Sequence, residues 1–191
     1  MFSLRKNRPL AARAREYASA EDFCRIFKAE MTSLYCLALA LTGDEELAEQ
    51  CYVAGLEECI SGNAVFKEWA RSWSKRVVIK KAIQLISPVA GATFLAPREF
   101  VPGEPGSGAA LVVAALGQLR PFDRFVFVMS VLEKYSDYEC SVLLACPPGE
   151  VTRARIRALQ EIHEPHISFS ISEGGCAEVQ TVHSSGIPEV A

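Results

Sequence analysis

The sequence lacks the short motifs by which most enzymes are recognised. It contains no G-x-x-x-x-G-K-[ST], no G-x-G-x-x-G and no G-x-S-x-G, so nothing predicts a phosphate-binding loop or a nucleophile elbow. The three histidines, His163, His166 and His183, all stand at or beyond the end of the last predicted helix. In that position they are poorly placed to activate a nucleophile in a formed cleft. We therefore expect a protein that is not an enzyme and needs no cofactor.

Long apolar runs are also missing. No stretch reaches the roughly 18 apolar residues that a membrane-spanning helix needs. The N-terminus is basic, but no apolar stretch follows it, which excludes a secretory signal. The expectation is a cytoplasmic protein without a membrane segment. The basic residues of the N-terminus are Arg5, Lys6, Arg8, Arg13 and Arg15.

Cysteine is present without the spacing that metal sites need. The chain has seven cysteines, an odd number, and no CxxC, so we expect buried free thiols in a reducing compartment. One set of four, Cys140, Cys146, His163 and His166, matches no zinc-binding spacing. No metal site is expected.

An excess of positive charge is absent as well. The chain has 20 basic and 23 acidic residues and a net charge of −3, and half of its residues are hydrophobic. The hydrophobic content predicts a globular protein. Because nucleic-acid-binding domains are usually basic, any contact with DNA has to come from local patches.

One stretch, residues 135–162, has the pattern of two short helices around a tight turn. Ser136 and Glu139 have the spacing of a capping box, and Pro147, Pro148 and Gly149 separate the two helices. The second helix has an apolar face and carries arginines elsewhere. The pattern is typical of a helix-turn-helix, and equally of an ordinary helical hairpin with a solvated basic face. The apolar face consists of Val151, Ala154, Ala158 and Ile162.

Helical periodicity also fills the first half of the chain. Ser19 and Asp22 predict a capped start to one long helix that ends at Gly43. A second helix restarts at Asp44, because acidic residues favour a first turn. Its predicted buried face consists of Leu47, Cys51 and Ala54, with Ile60 left open as a fourth member.

A third predicted helix, residues 65–86, combines basic residues with two tryptophans. Lys75, Arg76, Lys80 and Lys81 fit contacts with a phosphate backbone, and exposed rings would stack on unpaired bases. Tryptophans four residues apart are more often part of a core, and we expect this for both Trp69 and Trp73. The two interpretations of this helix both stay open from the sequence.

Proline and glycine punctuate residues 88–108, which predicts a flexible linker. A further helix is expected from Asp123 to Lys134, with Phe125, Val128, Met129 and Leu132 inward. The predicted fold class is all-α, with two small helical domains. The predicted divisions are a basic N-terminus 1–18, a first domain 19–87, the linker 88–108, a second domain 109–163 and a flexible tail 164–191.

Two blocks resemble the extracytoplasmic-function sigma factors of bacterial RNA polymerase. The first comprises FCRIFKAEMTSLYCLALALTGDEELAEQ and FKEWARSWSKRVVIKKA, which resemble region two of that family. The second, ALGQLRPFDRFVFVMSVLEKYSDYECSVLLACPPGEVTRARIRAL, resembles region four. The resemblance departs from the family on the polymerase-facing helix, where Gln50, Val53 and Ala54 replace charged or polar residues. Apolar replacements there weaken docking on a charged partner.

The resemblance implies a sigma factor that directs core RNA polymerase to the −10 and −35 elements of promoter DNA. An anti-sigma factor is a possible further partner. The residues it implies for DNA binding are Thr152, Arg153, Arg155, Arg157, Lys75, Arg76, Lys80 and Lys81. Those it implies for polymerase binding are Glu45, Glu46, Glu49 and Gln50.

Two alternatives remain at this point. One is a degenerate sigma-like helical protein that binds a regulatory protein partner and not promoters. The other is a repressor that uses only the helix-turn-helix. Capture of core polymerase, or of another partner in its absence, distinguishes them.

Overall fold

The structure is a computed structural model that describes residues 16–91 and 115–163. Within those residues the regular secondary structure is helical, which confirms the all-α class; one isolated β-bridge joins Tyr17 to Phe66. The predicted linker, apart from its first residues, and the predicted tail lie outside the described residues. The helices are α1 (Ala20–Ala29), α2 (Met31–Thr42), α3 (Glu45–Ser61), a 3-10 turn (Lys67–Trp69), α4 (Ala70–Ile86), α5 (Pro121–Phe127), a π-helical turn (Val128–Leu132), α6 (Asp137–Leu143) and α7 (Pro148–His163).

The first helix boundary shows a predicted cap and an unpredicted break. The Asp22 amide donates to the Ser19 hydroxyl at 3.2 Å, and the Ser19 amide donates to the Asp22 carboxylate at 3.0 Å, which forms the expected capping box. The expected single helix to Gly43 is wrong, because it divides at Glu30, whose φ and ψ are −109° and 21°. No proline or glycine marks that break, so the apolar period of α1 runs into that of α2 without a local signal.

Helix α3 packs through small residues. The residues it buries are Ala48, Cys51, Gly55 and Cys59, whereas the predicted Ile60 is 43% exposed. A Cβ atom on Gly55 would lie 3.1 Å from Cγ2 of Val78 on α4, so the two helices approach closely there. Close approach selects small residues, which an apolar periodicity does not register. Of the predicted face, Cys51 is therefore buried, Leu47 and Ala54 are partly buried, and Ile60 is exposed.

The two tryptophans have different surroundings. Trp69 is 57% exposed, so its predicted place in the core is wrong, while Trp73 is partly buried against the core. Trp69 ends the 3-10 turn before α4, and its ring meets the edge of Phe66 at a centroid distance of 5.1 Å. Trp69 is the N-cap of α4 and stands outside its regular turns, so the four-residue spacing does not place its ring on the face of Trp73.

A π-helical turn explains a second error in an inward face. Phe125, Val128 and Met129 are buried as predicted, but Leu132 is 46% exposed. The Glu133 amide donates to the Val128 carbonyl five residues back, at 2.9 Å. A hydrogen bond between residues five apart closes a wider turn than the four-residue bond of an α-helix. It inserts one residue into the helical period and turns Leu132 outward.

A buried arginine on α5 connects the two described parts of the chain. Arg124 is 6% exposed, and its Nε and Nη2 atoms donate to the carbonyls of Leu41 at 3.0 Å and Thr42 at 2.9 Å. These carbonyls end α2, where the helix dipole favours a cation. Burial lowers the pKa of Arg124 to about 10, which leaves the guanidinium charged at neutral pH. Gly43, at φ +69°, lies against it, since a Cβ there would be 2.6 Å from Nη1.

Candidate nucleic-acid interface

Helices α6 and α7 form the pair that the sequence predicted. The Glu139 amide donates to the Ser136 hydroxyl at 3.2 Å, and the Ser136 amide donates to the Glu139 carboxylate at 2.9 Å, which is the predicted capping box. The bond from the Ser136 amide lowers the pKa of Glu139. On α7 the inner face is confirmed, with Val151, Ala154 and Ala158 fully buried. This packing fixes which side of α7 points outward.

The outward side of α7 is partly apolar. Beyond Pro148 and Gly149 in its first turn, its exposed residues are Arg153, Ile156, Leu159 and Gln160, which we call the outer stripe. Ile156 is 51% exposed and Leu159 is 46% exposed. Arginine therefore provides one of the four side chains of the outer stripe.

The three arginines of α7 each face a carboxylate of the same chain. Arg153 pairs with Glu150 one turn back, and its side chain remains 64% exposed. The Arg155 guanidinium donates hydrogen bonds to both carboxylate oxygens of Asp137 on α6. These contacts, led by the hydrogen bond from Arg155, lower the pKa of Asp137. The first arginine is held loosely at the surface, and the second joins the two helices of the pair.

Arg157 is turned toward the core. Its Nη2 and Nε atoms donate to the two oxygens of Asp123 on α5, at 2.7 Å and 3.2 Å. The Asp123 side chain is 1% exposed and also pairs with Arg120 at 2.6 Å. The hydrogen bond to Asp123 raises the pKa of Arg157. Contact of Arg157 with DNA stays a prediction, and it requires this pair to open.

Thr152 contributes to the same contact between α6 and α7, at Asp137. Its hydroxyl donates to Oδ2 of Asp137 at 2.9 Å. Together Thr152 and Arg155 bind one carboxylate at the N-terminus of α6, where the helix dipole also favours a negative charge. Both residues are available to DNA only at the expense of this contact.

Charge in residues 115–163 is balanced. This part of the chain contains six basic and six acidic residues. The electrostatic attraction to phosphate that dominates non-specific DNA binding is therefore small. The basic residues are Arg120, Arg124, Lys134, Arg153, Arg155 and Arg157, and the acidic ones are Asp123, Glu133, Asp137, Glu139, Glu150 and Glu161.

The basic side of α4 is engaged in ion pairs as well. Lys80 and Lys81 both reach Glu58 on α3, at 2.8 Å and 2.7 Å, and their hydrogen bonds lower the pKa of Glu58. Lys75 reaches across to Glu133 at 2.8 Å. This bridge is a second polar link between the two described parts of the chain, beside that of Arg124.

Arg76, the remaining predicted DNA contact on α4, lines a shallow pocket between the two described parts. The pocket brings Arg76 close to Trp69 and Trp73 on one side and to Tyr135 and Glu139 on the other. The exposed Trp69 ring and Arg76 therefore line the same pocket, and single-stranded nucleic acid is bound by such combinations of aromatic rings for bases and cations for the backbone. The sequence had proposed this arrangement as the less favoured interpretation.

The residues predicted to bind polymerase form an acidic surface on α3. Glu45, Glu46, Glu49 and Gln50 are all exposed, and the Gln50 amide donates to Glu46 at 3.4 Å. Except for Glu45, they line one shallow groove together with Val53, Ala54 and Glu57. Helix α3 contains no lysine or arginine. The surface is suited to a partner that offers positive charge around an apolar centre.

The described residues offer no site for a metal ion. They contain no group of three or more histidine, cysteine or acidic side chains with suitable geometry. Burial raises the pKa of the Cys140 thiol to about 11, so it is a poor ligand at neutral pH. Within the same ranges, residues 16–91 and 115–163, no helix is long and apolar enough to cross a membrane.

The sequence did not reveal the residues that hold this interface together. Asp123, Arg124 and Asp137 each bind a partner on another helix, from 18 to 83 residues away in the chain. The Arg120–Asp123 and Glu150–Arg153 pairs, in contrast, have the local spacing, i to i+3, that a helix brings together. Pairing over longer separations has no signal in a single sequence.

The sequence matches no protein-family model and no curated protein. Among solved structures, it is similar to the sigma factor RpoE of Bartonella quintana, solved in complex with the anti-sigma factor NepR. The TM-score is 0.45 and the identity is 16%, over 75% of this chain and 95% of that one. That degree of likeness does not establish a shared family, so the sigma-type assignment stays a proposal.

Proposed function

We propose that this chain is a sigma-type transcription factor, in which α6 and α7 form a helix-turn-helix that enters the major groove of promoter DNA. The observation that supports this best is the α6–α7 pair, which has a capped first helix and a second helix packed by Val151, Ala154 and Ala158. In such a pair the second helix presents its outer side to base edges. On that side Arg153 is the most accessible cation, and it has the geometry to bind guanine or phosphate.

The ion pairs of α7 are compatible with this role where the free energy needed to break them is small. A surface pair such as Arg153–Glu150 contributes about 0–1 kcal/mol, so a phosphate can replace Glu150. Arg155 and Thr152 would exchange Asp137 for DNA at a greater cost. We therefore assign the first contact to Arg153, with Arg155 and Thr152 as secondary contacts.

Balanced charge implies that the free chain binds DNA weakly. Core RNA polymerase, bound on the acidic surface of α3, would hold the helix pair next to the promoter and raise its effective concentration. The basic residues of α4, with Arg76 beside Trp69, would then contact the melted strand. In this proposal the chain supplies recognition, the polymerase supplies the chemistry, and both act in the cytoplasm.

The test is a capture of core RNA polymerase by the full chain, followed by run-off transcription on a library of genomic promoters. We expect polymerase to be captured and a subset of promoters to initiate only when the chain is present. Arg153→Ala should reduce initiation at least several-fold, while Gln160→Ala on the same stripe should not. If the chain captures no polymerase and no promoter initiates, the proposal is wrong.

A second candidate is a helical protein that binds a protein partner without DNA. The observations that favour it are the apolar centre of the α3 groove, at Val53 and Ala54, and the apolar residues Ile156 and Leu159 on the outer stripe. Capture of a defined partner in the absence of polymerase, with no initiation at any promoter, would support it. An anti-sigma factor is one such partner that the sequence resemblance implies.

A further inference from the structure

The outer stripe of α7 has an apolar centre that nothing in the described residues covers. Ile156 and Leu159 are one turn apart and adjacent on the helix surface, and about half of each side chain is exposed. Neither side chain offers anything to phosphate. Both belong to the helix that ends at His163, where the described residues stop.

The residues that follow His163 have a sequence complementary to this stripe. Ile167, Phe169 and Ile171 alternate with serines in the segment ISFSI, so an extended chain would place the three apolar side chains on one side. Residues 164–191 also contain four glutamates and no lysine or arginine. Their negative charge complements the exposed Arg153. The glutamates are Glu164, Glu173, Glu178 and Glu189.

The lengths agree with a chain that reverses after α7 and returns along it. From Leu159 back to Arg153 the helix rises about 9 Å, at 1.5 Å per residue. Residues 167–171, if extended, span about 13 Å at 3.3 Å per residue. Pro165 favours an end to the helix at this point, and three residues, 164–166, remain for the reversal.

We propose that residues 167–171 bind the outer stripe of their own chain, with Ile167 and Phe169 packed on Leu159 and Ile156. A tail in this position would cover Arg153 and compete with any other ligand of that face. The contact itself does not depend on the sigma-type function, because it is a property of the free chain. It is tested without DNA or polymerase.

The experiment is nuclear magnetic resonance of the full chain with labelled methyl groups and a labelled Phe169 ring. We expect cross-relaxation signals from Ile156 and Leu159 methyl groups to Ile167 and Phe169, at concentrations where the chain is monomeric. A tail with random-coil shifts and no such signals would overturn the proposal. Signals that appear only between differently labelled copies would overturn it too, because the stripe would then join two chains.

Matched full-chain variants locate the contact on the apolar side of the segment. Ile167→Ser with Phe169→Ser should abolish the signals and shift the Ile156 and Leu159 methyl resonances. Ser168→Ala with Ser170→Ala alters the opposite side and should preserve them. All four positions lie outside the described helices. The methyl resonances of the buried Val151 therefore report on the fold: they should stay unchanged in both variants, and a change in them would indicate loss of the fold. Equal effects of the two double substitutions would contradict the proposal that the side with Ile167 and Phe169 faces the outer stripe.

Discussion

Arg124 and Arg153 are arginines on neighbouring helices with opposite surroundings. Arg124 is buried and uses its guanidinium to bind the two carbonyls that end α2. Arg153 is exposed, and its guanidinium pairs with Glu150, one turn away. The comparison shows that position in the fold, and not residue type, divides the basic residues of this chain into those that hold it together and those that are free to bind something else.

Between these extremes lie Arg155 and Arg157. Arg157 binds the buried Asp123, and Arg155 binds the half-buried Asp137. The order of burial predicts an order of stability effects, largest for Arg124 and smallest for Arg153. If the measured losses in the free energy of unfolding follow a different order, burial does not decide the structural role of these arginines.

The largest effect is expected for Arg124→Ala. It removes two charge-assisted hydrogen bonds and leaves the Leu41 and Thr42 carbonyls without these donors in a buried junction, where each unsatisfied group costs about 1–3 kcal/mol. We expect the free energy of unfolding, measured with urea, to fall by about 3 kcal/mol. A loss below about 1 kcal/mol would show that Arg124 does not hold the junction.

Gly43→Ala tests the same junction from the other side. The backbone at φ +69° disfavours a side chain, and the new methyl group would displace the Arg124 guanidinium. A destabilisation of about 1–3 kcal/mol is expected, and the double variant with Arg124→Ala should lose less than the sum of the two single losses, because both changes disturb the same guanidinium contact. Full additivity of the two changes would show that Gly43 and Arg124 act independently.

Arg157→Ala should have an intermediate effect. Asp123 would keep Arg120 as a partner, so the expected loss in the free energy of unfolding is about 1–2 kcal/mol, not that of an unpaired buried charge. The measurement is a double-mutant cycle with Asp123→Asn. Absence of coupling between the two positions would contradict the role of Arg157 as an anchor of α7.

The Asp137–Arg155 pair should be visible as a dependence on pH. Since the pKa of Asp137 is lowered in the folded chain, its contribution to stability is present above the unfolded value, near 3.8, and is lost as the pH falls through the folded value. Asp137→Asn should therefore flatten the acid limb of a plot of stability against pH. Glu21→Gln, an exposed change on α1, is the control and should leave that limb unaltered.

The smallest effect on stability is expected for Arg153→Ala. Surface pairs of this kind contribute about 0–1 kcal/mol, so the free energy of unfolding should change by less than about 0.5 kcal/mol. Its effect on promoter binding should nevertheless exceed that of Arg157→Ala after correction for folding. If Arg153→Ala is as destabilising as Arg124→Ala, the division into structural and available arginines is wrong.

The helix starts could be predicted from local signals in the sequence, whereas the long-range packing between helices could not. Ser19 and Ser136 cap the helices where the sequence placed them, because a cap is a contact over three residues. Asp44, which the sequence placed in the first turn of α3, is its N-cap. On α3 the predicted Cys51 is buried, but Ala48, Gly55 and Cys59 were missed, since close packing at Gly55 favours small residues over large apolar ones. Leu132 was wrong because a single π-helical turn shifts the period, and no residue type announces such a turn.

The candidate interface was predictable in its residues but not in their partners. The sequence identified every arginine of α7, yet it contained no sign that Arg157 faces Asp123 and Arg155 faces Asp137. These contacts join helices whose packing is decided by the whole core. They reduce the number of cations available to DNA, which a count of basic residues could not reveal.

The central proposal is that this chain recognises promoters only as part of a complex with core RNA polymerase. The most direct measurement is nuclease protection of a selected promoter at physiological salt, with the full chain alone and with polymerase added. We predict no protection by the chain alone and clear protection with both, weakened by Arg153→Ala. Tight, salt-insensitive protection by the chain alone, or none with polymerase present, would contradict the account.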